Sequence, residues 1–389
     1  MSINADKLIF FFLAVTFFLI PMGTAPPLIT TGCALAVWVF SGKIFMIRTV
    51  WKNPWFLPMI PLIILPWVGL LYTSEIPLGL DYALKTKYWV FALVTSSVVL
   101  NKNRIDVIIM AFWMGLSLGV VLALLQVTGL MVPFKQDYLG FGIVHTLLSM
   151  YLIIGILTAS FYFRNKKNLQ IRIMLLGMML LFLFHLSILH GRAGYLIFIL
   201  LSPLIIQNLM YRLPIIKKVF FCLIMMFSLA LSPIVQDEIK NTFIDLKTNK
   251  DQIAKGVDIT LMPRPFILKS AVKIFIAHPI IGVGTGGYKY HTAIMGSAKN
   301  HPHNNILYMA VSFGIFGIFA CLWLFWKMFK VAWNEREKPL GYLVLSICMV
   351  IFLGGFFDTH ILNTGTAVLF TIGYGFLSHL DGKQVTISN

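Results

Sequence analysis

The chain has 389 residues, of which 59% are hydrophobic and only 12% charged, against about 25% charged in a soluble globular domain. That composition excludes a water-soluble fold. The formal charge of +17 does not argue for a nucleic-acid partner, because membrane proteins collect Lys and Arg in short cytoplasmic loops for topological reasons.

Apolar runs of about 18 or more residues recur from end to end, each long enough to cross a bilayer as a helix. Helices rather than a barrel satisfy such a backbone in lipid, so the fold class is an all-α polytopic membrane protein. About twelve membrane helices are predicted, at roughly 8–22, 27–46, 54–72, 87–100, 105–131, 143–163, 172–189, 194–211, 215–235, 304–328, 340–357 and 361–379. Lys7 and the apolar run to Ile20 resemble a signal peptide, but no small-residue cleavage site follows, and the run reads as the first membrane helix. The chain thus divides into residues 1–235 with nine helices, a polar segment at 236–300, and residues 301–389 with three helices and a tail. Cys33, Cys222, Cys321 and Cys348 all sit inside apolar runs and read as small buried hydrophobes rather than disulfide or zinc ligands.

Loop charges set the orientation. With both termini cytoplasmic, the cytoplasmic segments and tails hold eighteen Lys and Arg, and the short external loops hold four: Lys85, Lys87, Lys135 and Arg192. This is a positive-inside bias, and it makes 236–300 one large external loop. Six of the eight arginines are then explained by topology; Arg192 and Arg264 are not, and become candidates for function. No Asp or Glu lies in the middle of an apolar run; Asp106 and Asp358 sit at helix ends. The missing mid-membrane carboxylates and the lack of an internal repeat count against a carrier.

Within the polar segment, PRPFILKSAVKIFIAHP reads as a short amphipathic helix, with Pro265 in its first turn and Pro279 as its stop. Phe266, Ile267, Val272, Ile274 and Phe275 are expected at the membrane interface. Lys269 and Lys273 share a face and read as plain surface charge. Arg264, between two prolines, suits a preorganised anion clamp. GVGTGG contains GxGxxG, but no βαβ pattern surrounds it, so it reads as a tight turn against neighbouring helices rather than a nucleotide loop.

KNHPHNN is the densest polar cluster. An Asn here can cap the tenth helix. His301 and His303 have a metal-compatible spacing, but no carboxylate or third histidine is adjacent and no DxD occurs, so no metal is expected. A general base is the favoured reading. Helices eight and ten both start on the external side, which aims their positive dipole ends at Arg192 and His303 and suits phosphate. Lys85 and Lys87 can add charge there, although an interfacial anchor is the plainer role.

The combination resembles the O-antigen ligases of Gram-negative bacteria, in a superfamily with O-antigen polymerases and protein O-oligosaccharyltransferases. The RAGYL step at Arg192, the helix start at Arg264, HPIIGVGTGGY and HPHNNIL carry the resemblance. It implies a GT-C-type glycosyltransferase of the inner membrane, working on the periplasmic face, with the large periplasmic loop between helices nine and ten. The donor is then undecaprenyl-diphosphate-linked O-antigen, and the acceptor is a sugar hydroxyl of lipid A–core. No cofactor or metal is implied. Carried onto this chain, Arg192 and Arg264 hold the donor diphosphate and His303 is the catalytic base. His301, Asn304 and Lys87 position substrate. Membrane lipids are the remaining partners, and a monomer or weak oligomer is expected. An O-antigen polymerase is the alternative within the superfamily, and a lipid or solute carrier is the alternative outside it.

Overall fold

The computed structural model describes residues 2–47, 53–135, 138–230, 235–237, 240, 264–295 and 299–380. Its α-helices are α1 (Ser2–Leu19), α2 (Ala25–Phe40), α3 (Met59–Val68), α4 (Ile76–Ala83), α5 (Val90–Ser96), α6 (Lys102–Val127), α7 (His145–Asn165) and α8 (Leu169–Ser187), then α9 (Arg192–Leu209), α10 (Ile215–Ala230), α11 (Arg264–Ala277), α12 (Tyr288–Ile294), α13 (Asn305–Asn334), α14 (Pro339–Gly354) and α15 (Thr364–Gly375). By length and composition, Ala5–Met22, Lys102–Val127, His145–Asn165, Leu169–Ser187, Arg192–Leu209 and Asn305–Asn334 can cross a membrane; Ala25–Phe40, Met59–Leu71 and Pro339–Gly354 are shorter apolar helices. This architecture is that of a polytopic membrane protein. The expected span at 87–100 differs: a 3-10 stretch, Leu84–Trp89, leads into the seven-residue α5. The polar run Lys85–Thr86–Lys87 keeps that segment out of a continuous apolar helix.

Helix α7 is the core of the bundle. Every residue from Leu147 to Tyr162 is buried, as befits a helix apolar on all sides. Two of its polar groups are bonded across helices: Trp113 donates to Thr158 at 2.9 Å, and Asn208, which also donates to Tyr342 at 2.7 Å, donates to Ser160 at 3.0 Å. Such interhelical bonds matter where no water competes.

Charge sorts the two ends of the bundle. At one end Asp6 accepts from Lys43 at 3.0 Å, and also from Arg104. Asp106 accepts from Tyr162, and Glu337 pairs with Arg164. The starts of α1, α6, α8 and α14 therefore share an end with the close of α7. At the other end, Met150 near the start of α7 meets Gly354 at the close of α14. The starts of α7, α9, α13 and α15 lie there, and so does the polar cluster.

The glycine-rich turn fixes that second end. Helix α13 is broken at Gly314 (φ 62°, ψ −145°), which frees carbonyls that a continuous helix would bond internally. Val283 and Gly284 donate to Val311 and Ser312 at 2.8 and 3.0 Å, and Ile315 donates to Pro279 at 2.9 Å. Gly282 has φ +71°, and a Cβ there would lie 2.4 Å from the Val311 carbonyl oxygen. Thr285 bonds the Pro66 carbonyl at 2.6 Å. GVGTGG is thus a packing wedge, as expected. Helix α11 also forms where the proline positions place it. Its Ile267 and Ile274 pack on Val283, Tyr288 and Val311, while Val272 is exposed with Lys269 and Lys273. The expected common membrane face of those apolar residues is therefore split, because one side of the helix caps the wedge.

Candidate functional site

The polar cluster is assembled by the turn before α13 and the turn between α14 and α15. Asn304 caps α13, accepting from the Leu307 amide at 2.9 Å. Its side-chain nitrogen donates to the Phe356 carbonyl at 3.2 Å, and its amide donates to Thr359 Oγ1 at 3.1 Å. Asn305 repeats the pattern: its amide donates to Gly355 at 2.6 Å and its Oδ1 accepts from the Ile361 amide at 3.2 Å. These bonds clamp the two turns together. The expected helix cap is present, and the clamp consumes the Asn304 side chain inside the protein.

The clamp sets His303 beside Asp358. His303 Nδ1 lies 3.0 Å from Asp358 Oδ1, and the same oxygen accepts from the Thr359 amide at 2.8 Å. Burial pushes the Asp358 carboxyl up, but the His303 hydrogen bond, the nearby His360 and the Thr359 N–H pull it down to about 2. The carboxylate is therefore ionised at neutral pH and can only accept. In the neutral imidazole, His303 Nδ1 must then carry the proton, which leaves the Nε2 lone pair free. The His303 side chain is 41% exposed and that of Asp358 28%, so the pair is open to the surface. His303 has φ +50°, the only non-glycine residue in the left-handed region among the described residues. A backbone strained by about 1–3 kcal/mol persists only where its surroundings hold it.

His301 is more withdrawn. Its ring centroid is 4.4 Å from that of His303, and its Nδ1 is buried with no hydrogen-bond partner among the described residues. Burial, then His303, and also Lys85, outweigh Asp358 and hold its pKa down to about 4. That makes His301 a weak base and favours His303 for the role. His360 is 2% exposed and likewise held near 4, by burial against the opposing pull of Asp358.

Lys85, rather than Lys87, meets this region. Lys85 Nζ donates to the Leu362 carbonyl and lies 5.6 Å from the Tyr82 ring. Tyr82 in turn bonds the Asn300 carbonyl at 3.4 Å. Lys87 is exposed, 5.6 Å from the Tyr88 ring. Beside Lys85 and His360 opens a cavity of about 60 Å³, walled by Tyr82, Tyr308 and Thr366. It can hold water but not a sugar ring.

Arg192 is the first residue of α9, after the Gly191 cap. The start of α7 is its link to the histidines. His145 underlies Gly191 and Ser149 underlies Gly194, while Met150 touches Gly354 beside His360, and Tyr151 touches Gly365. Arg192 and the His303–Asp358 pair thus open on the same end of the bundle. Arg264 begins α11, but its side chain lies outside the described residues, as do 241–263 of the large loop.

Sequence reasoning missed His360, named Asp358 only as a helix-end carboxylate, and named Lys85 only as added charge beside Lys87. The expectation that no carboxylate stands beside the HxH pair is corrected, because the fold brings one from 55 residues downstream. His301, His303 and Asp358 each offer one donor atom within 4.8 Å of the others, a set that can hold a metal ion. The His303–Asp358 hydrogen bond, however, engages one donor atom of each residue in the other.

The fold and this cluster define a multi-pass helical membrane protein with an imidazole–carboxylate pair and an arginine-led helix start at one end. Residues 177–322 match the family model described as O-antigen ligase. The matched span contains Arg192, Arg264, the glycine-rich turn and HPHNN, and it supports the resemblance read from those residues. No curated protein matches the chain.

Proposed function

We propose that the chain is an O-antigen ligase. It transfers O-antigen polysaccharide from undecaprenyl diphosphate to a sugar hydroxyl of lipid A–core, on the periplasmic side of the inner membrane. The single observation that carries this reading is the His303–Asp358 hydrogen bond, at the same end of the bundle as the arginine-led start of α9. The family match supports the reaction class.

In this mechanism, Asp358 holds His303 in the tautomer that leaves Nε2 unprotonated. Nε2 takes the proton of the acceptor hydroxyl as its oxygen attacks the anomeric carbon of the donor. The anomeric C–O bond to phosphate breaks, and undecaprenyl diphosphate leaves. Arg192 and Arg264 neutralise the charge that develops on the diphosphate, with forked N–H donors that match its oxygens. Asn304 keeps the two turns in register, and Lys85 adds positive potential near His301. The mechanism routes no step through a metal.

The lipopolysaccharide of a deletion strain tests the reading. Core without any O-chain, with lipid-linked polymer accumulating, is the expected result. Core bearing a single repeat unit identifies a polymerase instead. Unchanged lipopolysaccharide excludes both.

A further inference from the structure

A second polar feature lies at the opposite end of the bundle from His303. The turn between α7 and α8 and the turn between α9 and α10 enclose a cavity of about 660 Å³. Five cations line it: Arg164, Lys166, Lys167, Arg172 and Arg212. The end of α9 supplies an apolar wall. Topology explains why cations gather at this end. It does not explain why they surround one cavity.

Three of the cations lie against aromatic rings. The Arg172 guanidinium lies 4.3 Å from the Phe163 ring, Arg212 lies 5.2 Å from Tyr211, and Lys166 lies 5.8 Å from Tyr162. Arg164 pairs with Glu337. Arg172 Nε is buried and has no hydrogen-bond partner among the described residues. Arg172 as a residue is only half-buried and lines the cavity, so its other guanidinium N–H donors can meet an anionic oxygen there. The volume far exceeds one phosphate and is of the size that takes a small organic headgroup. The flanking helices continue the site into lipid: Ile173 on α8 and Ile216 on α10 are 60% and 78% exposed, where acyl chains can run.

We propose that this cavity binds the headgroup of an anionic glycerophospholipid, with its phosphate on Arg172 and Arg212 and its chains along α8 and α10. Juxtamembrane cations attract anionic lipid generally. The site claimed here is narrower, because the forked guanidinium donors fix the phosphate in one place.

The test uses the full chain in nanodiscs that mix phosphatidylglycerol with phosphatidylcholine, read by native mass spectrometry. The wild type is expected to retain phosphatidylglycerol selectively. The Arg172→Gln/Arg212→Gln variant is expected to lose about fivefold of that retention per cation removed. The Lys330→Gln/Lys338→Gln variant, with the same charge change but outside the cavity, is expected to retain it. Melting temperature in phosphatidylcholine alone checks that each variant is folded. Should the arginine pair not fold, Arg172→Lys keeps the charge, removes the fork and is expected to lose retention alone. Equal loss from both double variants overturns the proposal in favour of a diffuse surface potential. Displacement of the lipid by millimolar inorganic phosphate overturns it in favour of a free-phosphate site.

Discussion

His303 and Asp358 share a 3.0 Å hydrogen bond between Nδ1 and Oδ1, although one residue precedes a 30-residue helix and the other follows the next. The bond decides which imidazole nitrogen can act as a base. Asp358→Asn keeps the size of the side chain but can donate to Nδ1, which selects the wrong tautomer. We predict that this variant lowers the turnover of glycan transfer by about 10²-fold or more while the apparent KM for the lipid-linked donor stays the same. A change confined to donor KM contradicts an orienting role.

The two withdrawn histidines make stability pH-dependent. His301 and His360 are held near 4 in the fold, against about 6.5 in the unfolded chain. Between those values the unfolded chain takes up protons that the folded chain refuses, so stability falls as pH drops from 6.5 towards 4. Asp358, held at about 2, works lower: its contribution is present above about pH 3.8 and is lost as pH falls towards 2. Melting temperatures in detergent between about pH 7 and about pH 4 check the histidine part. The His301→Asn/His360→Asn variant is expected to show a flatter slope than the wild type, and an identical slope contradicts the assignment.

Arginine is required at position 192 for its fork and not only for its charge. Arg192→Lys keeps the positive end of α9 charged but offers a point donor instead of two parallel ones. Donor KM is predicted to rise by about tenfold, with a further loss in turnover if the leaving diphosphate is held by the same contact. Lys269→Ala, on the exposed face of α11, is predicted to change neither constant. Wild-type kinetics for Arg192→Lys argue against diphosphate binding there.

The glycine wedge bears on stability. Gly282→Ala places a Cβ 2.4 Å from the Val311 carbonyl oxygen at φ +71°, which combines backbone strain with a clash against backbone that cannot swing aside. A loss of about 1–3 kcal/mol is expected. Gly42 has φ +75° but open space around its Cβ position, so Gly42→Ala is predicted to lose only the strain part, about 1 kcal/mol. Thermal unfolding of the two variants gives the order, and a larger loss at Gly42 contradicts the account of the wedge.

Much of this was legible in the residues, for identifiable reasons. Apolar runs marked the long helices, because bilayer thickness acts on composition directly. An Asn of the KNHPHNN cluster read as a cap because capping is local. Pro265 and Pro279 marked the bounds of α11 for the same reason. What could not be read was tertiary. Helix α7 is apolar throughout, so no periodicity shows that it is the central helix. The pairing of Asp358 with His303 depends on how the 304–305 and 355–361 turns clamp, which no local pattern encodes. The end of the bundle that holds Asp358 was readable, since the order of apolar runs assigns it to the same end as His303, and a search of that end for carboxylates could have found it. Lys85 was preferred over Lys87 by the 3-10 winding of 84–89, which turns two lysines two residues apart in different directions.

The most direct test is transfer by purified protein, supplied with undecaprenyl-diphosphate-linked O-antigen and lipid A–core. The account predicts polymer-bearing lipopolysaccharide from the wild type and at least about a 10²-fold lower rate from His303→Gln, with the variant folded and the donor still bound. Undiminished transfer by His303→Gln contradicts the assignment of the base, and with it the proposed chemistry.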